Sequence, residues 1–164
     1  MFSVNEVVIK ANHGVCTIKD IVKLPNVDKN RNYYYLVPVD DENMKVYVPV
    51  DMGNEVLHYV MNEKEAMECI AQFKNIDAAW IKNEKQREIF YKEAMKSCDP
   101  IRLVSIIKNM YERKQMRIAG GKKPIALDEK YFCLAEEQLF SELAFALNKD
   151  KSEMLDFIQA NLNR

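Results

Sequence analysis

Lys45-Val46-Tyr47-Val48-Pro49-Val50 alternates valine with other side chains, and this period of two residues is typical of a β-strand that buries one face. Earlier segments rich in β-branched and aromatic residues are also predicted as strands: residues 7–9, 15–23 and 33–39. Pro38 and Pro49 have no backbone N–H to donate, so we expect each at a strand end or a sheet edge.

Turn-forming residues separate these strands, at residues 12–14, 25–30 and 40–43. After a predicted Gly53-Asn54 turn, residues 57–60 add a short fifth strand. Short antiparallel strands of this number and size predict a small β-barrel or a strongly bent sheet over residues 1–60.

From Asn62 onward the apolar residues recur every three or four positions, which predicts helices. The predicted helices cover residues 63–73, 77–97, 99–117, a fourth segment capped by Asp128, and 151–162. Asp99-Pro100 is a strong start signal, because aspartate caps helices and proline suits the first helical position. The residues predicted to face inward are Ala66, Ile70, Phe73, Leu103, Ile106, Ile107, Met110, Tyr111, Phe132, Ala135, Leu139, Leu143, Leu155, Ile158 and Leu162. The chain is therefore predicted to be α+β, with a β module over residues 1–60 and a helical bundle over residues 61–164.

Residues 77–87 contain Trp80, the only tryptophan of the chain, followed by a run of polar and charged side chains. Asp77 is a good N-cap, which predicts that Trp80 lies in the first turn of the 77–97 helix. Apolar positions resume only at Ile89, so the first half of this helix is expected to project into solvent.

Two interpretations of Trp80 remain open at this point. A single tryptophan is more often a partly buried packing residue than a functional wedge. A first helical turn, however, favours anions, and Lys82, Lys85 and Arg87 can reach phosphates beside an aromatic that contacts base steps.

The net charge of -1 hides an uneven distribution along the chain. Residues 80–123 carry twelve Lys and Arg against five Asp and Glu, whereas residues 127–164 carry four against eight. The basic part predicts a phosphate-facing surface, and an ordinary solvated helical face explains it equally well. Gly120-Gly121 ends a helix rather than opening one, so a nucleotide cradle is not expected, but Lys122 and Lys123 are candidate phosphate contacts.

The sequence contains no motif that would indicate an enzyme. It lacks Gly-x-Gly-x-x-Gly, a phosphate loop and His-Glu-x-x-His, and we expect structural roles for His13 and His58. The four cysteines form no Cys-x-x-Cys pair, which indicates reduced thiols in the cytoplasm rather than disulfides or a metal site. No apolar run approaches the roughly 20 residues of a membrane span, and the N-terminus does not read as a secretory signal. We therefore expect no catalytic residues, no metal and no cofactor.

An ordered set of motifs over nearly the whole chain resembles the CarD/CdnL-type bacterial transcription regulators. The matching segments are Asn12-His13-Gly14-Val15, Tyr35-Leu36-Val37, Lys45 to Val50, Trp80-Ile81-Lys82 through Arg87, Tyr91, Lys96-Ser97-Cys98-Asp99-Pro100, Tyr111-Glu112-Arg113-Lys114 and residues 135–144. The chain departs from the family at three positions. Tyr47 stands where many members carry a basic residue, Cys98 where glycine is usual, and Ala11 where a Tyr-Pro pair commonly occurs.

The resemblance implies a Tudor-like β module that binds the β subunit of RNA polymerase, as also found in the transcription–repair coupling factor. Lys23, Lys45 and Tyr47 lie on predicted strand surfaces and are candidates for this contact, with simple solvent exposure as the alternative. The helical domain would hold promoter DNA at the upstream edge of the melted bubble, with Trp80 wedged into the minor groove, and so stabilise the open complex. A nucleoid-associated monomer with weak DNA sequence preference and no membrane contact is expected.

The alternative function is a protein–protein interaction adaptor without direct DNA contact. Its β module would bind one partner by strand addition, and its acidic C-terminal helices would bind another. An enzyme would require a deep pocket with converging polar groups.

Overall fold

The computed structural model describes residues 1–163 and consists of two compact units. The first unit is Met1–Val60, and the second begins at Met61. The first contains the strands and the second contains the long helices, so the predicted α+β class is confirmed.

The first unit is a five-stranded antiparallel sheet. Its strands are β1 Val7–Lys10, β2 Gly14–Leu24, β3 Asp28–Pro38, β4 Val46–Pro49 and β5 Leu57–Tyr59. The strand order is β4-β3-β2-β1-β5, so β4 and β5 form the two edges. The predicted barrel is therefore not closed, because these two short edge strands do not pair with each other.

β2 and β3 form a hairpin that is longer than the sequence predicts. β3 begins at Asp28, because Leu24 pairs with Asp28 and Lys23 pairs with Asn32. The predicted loop over residues 25–30 thus shortens to a tight turn, since backbone pairing with β2 overrides the low strand propensity of this polar stretch. Pro38 and Pro49 are the last residues of β3 and β4, as predicted.

Tyr34 lies at the centre of the core on one face of the sheet. Its ring is fully buried, and its hydroxyl accepts a hydrogen bond of 3.0 Å from the N–H of Phe2. Instead of the predicted turn, Gly53 begins the one-turn helix α1, Gly53–Val56. A side chain does not fit there, because a Cβ on Gly53 would lie 2.7 Å from the Tyr34 ring. The rest of this core is Phe2, Val8, Cys16, Ile18, Leu36, Val48 and Leu57.

Within residues 61–163, the second unit contains five helices, joined in part by single 3₁₀ turns. They are α2 Glu63–Gln72, α3 Arg87–Ser97, α4 Pro100–Ala119, α5 Ala126–Leu147 and α6 Met154–Leu162. Asn62 and Glu65 form a capping box at the start of α2. Asp99 caps α4 by accepting the N–H of Ile101 at 2.9 Å, with Pro100 in the first turn, as predicted.

Most of the residues predicted to face inward do so. The buried ones are Ala66, Ile70, Phe73, Leu103, Ile106, Met110, Ala135, Leu139, Leu143 and Ile158, and the partly buried ones are Ile107, Phe132 and Leu162. The predictions for Tyr111 and Leu155 are wrong, because these side chains are 55% and 48% exposed. Asp128 is not the N-cap of α5, which begins after Ile125, and its carboxylate instead pairs with Arg113 Nε at 3.2 Å.

Candidate functional site

Trp80 lies in a segment that is not helical. Residues 76–83 form neither helix nor strand, and a single 3₁₀ turn, Glu84–Gln86, precedes α3. The prediction of a helix starting at Asp77 is therefore wrong, and Trp80 has no helix N-terminus around it. We call residues 76–86 the Trp80 segment.

The first half of the Trp80 segment forms hydrogen bonds with side chains and backbone of α4. The N–H of Ala79 donates to the carbonyl of Ser105 at 2.9 Å, and the carbonyl of Ala79 accepts from Asn109 Nδ2 at 2.8 Å. Ser105 Oγ donates to the carbonyl of Asp77 at 3.0 Å, and Lys108 Nζ donates to two backbone carbonyls, one just before the segment and one at its first residue. These long-range bonds satisfy backbone groups that a helix would have paired locally.

Glu84 anchors the second half of the segment. Its carboxylate accepts from Arg113 Nη2 at 2.8 Å and from Arg87 Nη2 at 3.3 Å. Burial acts to raise the pKa of Glu84, but the hydrogen bonds from Arg113 and Arg87 outweigh burial and lower it. The segment is therefore bonded to the bundle on both sides of Trp80.

Arg87 faces the interior rather than solvent. It is 6% exposed, and its Nη1 donates to the hydroxyl of Tyr91 and to Asn109 Oδ1, both at 2.7 Å. From the sequence, Arg87 was predicted to contact phosphates together with Lys82 and Lys85. Its position at the start of α3 turns the guanidinium toward α4, where it pairs with side chains of this chain.

Tyr91 extends this network to α5. Its ring is fully buried, and its hydroxyl donates to Asp128 Oδ1 at 2.9 Å. Burial raises the pKa of Tyr91 to about 12, so the phenol keeps its proton at neutral pH. Since Asp128 also pairs with Arg113, the network connects α3, α4 and α5 to the Trp80 segment.

Trp80 itself is 79% exposed, which is unusual for the largest apolar side chain in the protein. Beside it is an open cleft of about 370 Å³, lined by Trp80, Ile81, Lys82, Asn83, Gln86, Ile89, Phe90 and Glu93. Ile89 is also exposed, at 57%. This exposure argues against the interpretation of Trp80 as a packing residue, whereas its role as a wedge stays a prediction.

The remaining predicted DNA contacts are exposed lysines. Lys82 and Lys85 follow Trp80 within the same segment. Lys122 and Lys123 follow α4, where the Lys122 N–H donates to the Arg117 carbonyl and Arg117 Nε donates to the Lys123 carbonyl, both at 2.8 Å. All four ammonium groups are therefore available to an anionic partner.

The site also contains three residues that were not predicted from the sequence: Ser105, Asn109 and Arg113. They recur every four residues and so form one polar stripe along α4. A polar stripe on a helix that also buries Leu103, Ile106 and Met110 was a signal that something polar packs against it.

The candidate polymerase contacts lie on the first unit. Tyr47, in edge strand β4, is 41% exposed and stacks on Tyr35 with ring centroids 5.4 Å apart. Lys45 is exposed directly before β4, and Lys23 is exposed in β2 opposite Asn32.

Across residues 1–163, His, Cys, Asp and Glu side chains form no group of three that could hold a metal ion. Within the same range, no helix has the length and apolar character needed to cross a membrane. The four cysteines, all in this range, are free thiols.

Residues 2–60 match the family model of the CarD-like/TRCF RID domain. Comparison of the chain with curated proteins gives no significant match. The match covers the β-sheet unit and does not extend into the second unit, which contains Trp80.

Proposed function

Because residues 2–60 belong to the CarD-like/TRCF RID family of RNA polymerase-interacting domains, we propose that the chain is a transcription regulator that connects polymerase to promoter DNA. The first unit binds the β subunit of RNA polymerase. The second unit binds promoter DNA near the upstream edge of the melted bubble and stabilises the open complex.

The observation that carries this proposal is the exposure of Trp80 on a segment bonded to the bundle at both ends. An exposed indole leaves a large apolar surface in contact with water, so binding of a partner that covers it is favourable. Apolar side chains that enter a minor groove wedge between base steps, while nearby cations hold the phosphates. Lys82 and Lys85 supply those cations, and Lys122 and Lys123 offer further ones, whereas Arg87 supports the segment from within.

The regulatory effect requires only differential binding. A protein that binds melted DNA more tightly than the closed duplex shifts the population toward the melted state. A difference of about 1.4 kcal/mol changes the ratio about tenfold. No covalent step is needed, and the chain acts in this proposal without a cofactor.

On the first unit, the proposed contact with polymerase includes Lys23, Lys45 and Tyr47. β4 is an edge strand, so its outer backbone groups can pair with a strand of the partner. The aromatic pair of Tyr47 and Tyr35 then offers an apolar surface where a basic side chain is usual in the resembling family.

Substitution Trp80→Ala tests the DNA part of this function. Because the side chain is exposed, the free energy of unfolding should change by no more than about 0.5 kcal/mol. We expect unchanged binding to polymerase and an open-complex lifetime shortened about tenfold, measured by challenge with a competitor. Tyr111→Ala, which removes another exposed aromatic from the same unit, is the matched control and should leave the lifetime unchanged.

The outcome also separates the proposal from the adaptor alternative. Lifetimes that do not respond to Trp80→Ala, with polymerase still bound, would leave a protein that contacts polymerase without acting on DNA through this segment. Loss of polymerase binding in a Lys45→Glu variant, with the fold intact, would support the contact at β4.

A further inference from the structure

We propose that Asn109 is the positioning residue for Trp80, and that its carboxamide connects the buried Arg87 network to the backbone from which the indole projects. This inference rests on the proposed function for its consequence on DNA, but the positioning itself can be measured without DNA.

The geometry places Asn109 between two fixed partners. Its Nδ2 donates to the carbonyl of Ala79 at 2.8 Å, and its Oδ1 accepts from Arg87 Nη1 at 2.7 Å. A guanidinium can only donate and a carbonyl can only accept, so these partners allow one orientation of the carboxamide. An asparagine side chain is suited to this place, because it supplies one donor and one acceptor at once.

The carbonyl that Asn109 binds, that of Ala79, sets the orientation of the backbone at Trp80. The Ala79 carbonyl and the Trp80 N–H belong to the same planar peptide unit, so fixing the carbonyl fixes the plane from which Trp80 leaves. The Ala79 N–H is also bonded, to Ser105 at 2.9 Å. The remaining freedom of the indole is then that of Trp80 itself.

A backbone at Trp80 that is ordered before binding should increase the affinity for DNA. Ordering a backbone residue costs roughly a factor of ten in an equilibrium, and a segment that is already ordered avoids this loss when DNA binds. The exposed indole is therefore held in place before its partner arrives, and the strength of binding depends on a residue that does not face the DNA.

The test uses the full chain and the fluorescence of its single tryptophan. In Asn109→Asp the acceptor for Arg87 is retained while the donor to Ala79 is lost, and in Asn109→Leu both are lost. We expect time-resolved anisotropy of Trp80 to show a larger fast component in both variants, in the absence of DNA. Asn75→Asp makes the same change at an exposed position four residues before Ala79 and should leave the anisotropy unchanged.

A second measurement follows binding to a forked DNA duplex with one unpaired end. Both Asn109 variants should bind it about tenfold more weakly than the natural chain, with thermal unfolding of Asn109→Asp close to that of the Asn75→Asp control. Because Asn109→Leu adds no charge, it separates loss of positioning from repulsion of phosphates.

The outcomes distinguish the inference from the function on which it rests. Unchanged anisotropy in both folded Asn109 variants would overturn the positioning role, whatever Trp80→Ala does to DNA binding. Increased mobility of the indole would support the positioning role, and if Trp80→Ala then left binding to forked DNA unaltered, the proposed function would fail instead.

Discussion

Glu142 is a buried carboxyl in the core of the helical unit. It lies in α5, is 5% exposed, and its Oε1 accepts the N–H of Met61 at 3.1 Å. Its pKa is raised to about 7, chiefly by burial; the Met61 N–H acts to lower it, and the nearby carboxylates of Glu65 and Asp99 act to raise it. The side chain is therefore protonated in the folded protein under conditions where the unfolded chain has already released the proton.

The raised pKa of Glu142 predicts a loss of stability as pH rises. Its contribution is fully present below the unfolded pKa of about 4.5 and is lost as the pH rises to about 7. The reason is that the carboxyl of the unfolded chain ionises from about pH 4.5, whereas the folded one keeps its proton until about pH 7. The change amounts to about 3 kcal/mol, from 2.5 pH units at 1.36 kcal/mol each. We expect the free energy of unfolding, measured by urea titration between pH 5 and 8, to fall over this interval.

Glu142→Gln should flatten that part of the pH profile, since an amide keeps an acceptor for the Met61 N–H and does not ionise. Glu93→Gln changes an exposed carboxyl of the same unit and serves as the control. A slope that persists in Glu142→Gln would assign the pH dependence to other groups.

Among the helices, α4 has the clearest role as a scaffold. It buries Leu103, Ile106 and Met110 on one face, and it bonds the Trp80 segment through Ser105, Asn109 and Arg113 on another. Packing of the core and the conformation of the Trp80 segment therefore both depend on α4, and the N-terminal cap of this helix contributes to both.

Removal of that cap is predicted to destabilise the helical unit. Asp99 accepts the Ile101 N–H at 2.9 Å, so Asp99→Ala should lower the free energy of unfolding by about 1 kcal/mol. Asp99→Asn keeps a capping oxygen and should retain most of the stability. Denaturant unfolding followed by helix circular dichroism measures both, and equal stability of the alanine and asparagine variants would contradict the capping argument.

The sequence predicted elements whose signals are local and missed those set by distant partners. The Asp99-Pro100 start of α4 and the strand at β4 follow from caps and periodicity over a few residues. The helix predicted from Asp77 had a plausible cap, but hydrogen bonds from α4, about 30 residues away in sequence, hold this chain in another conformation.

Single residues show the same division between local and distant signals. Exposure of Trp80 followed from the absence of an apolar stripe after it, whereas burial of Arg87 required knowing that Tyr91 and Asn109 converge on it. Cys98, noted as a departure where glycine is usual, has a φ of 51° after α3, a left-handed conformation that glycine adopts more easily.

Charge is distributed unevenly along the chain. The net charge is -1, yet residues 80–123 carry an excess of seven positive charges, from twelve basic and five acidic residues. Overall charge therefore does not favour DNA, and any affinity has to come from local contacts between lysines and phosphates.

Local contacts of this kind predict a definite salt dependence. Each phosphate neutralised on duplex DNA contributes about -0.9 to the slope of log K against log salt, because binding releases condensed counterions. Lys82→Gln and Lys85→Gln should each make the negative slope for the full chain shallower by about 1, measured by fluorescence anisotropy of labelled duplex over a salt series. Lys64→Gln, in α2 of the same unit, removes an exposed charge outside the Trp80 segment and should leave the slope unchanged. If all three variants made the slope shallower by the same amount, the lysines would act through overall charge, and the proposed role of the Trp80 segment in DNA binding would be contradicted.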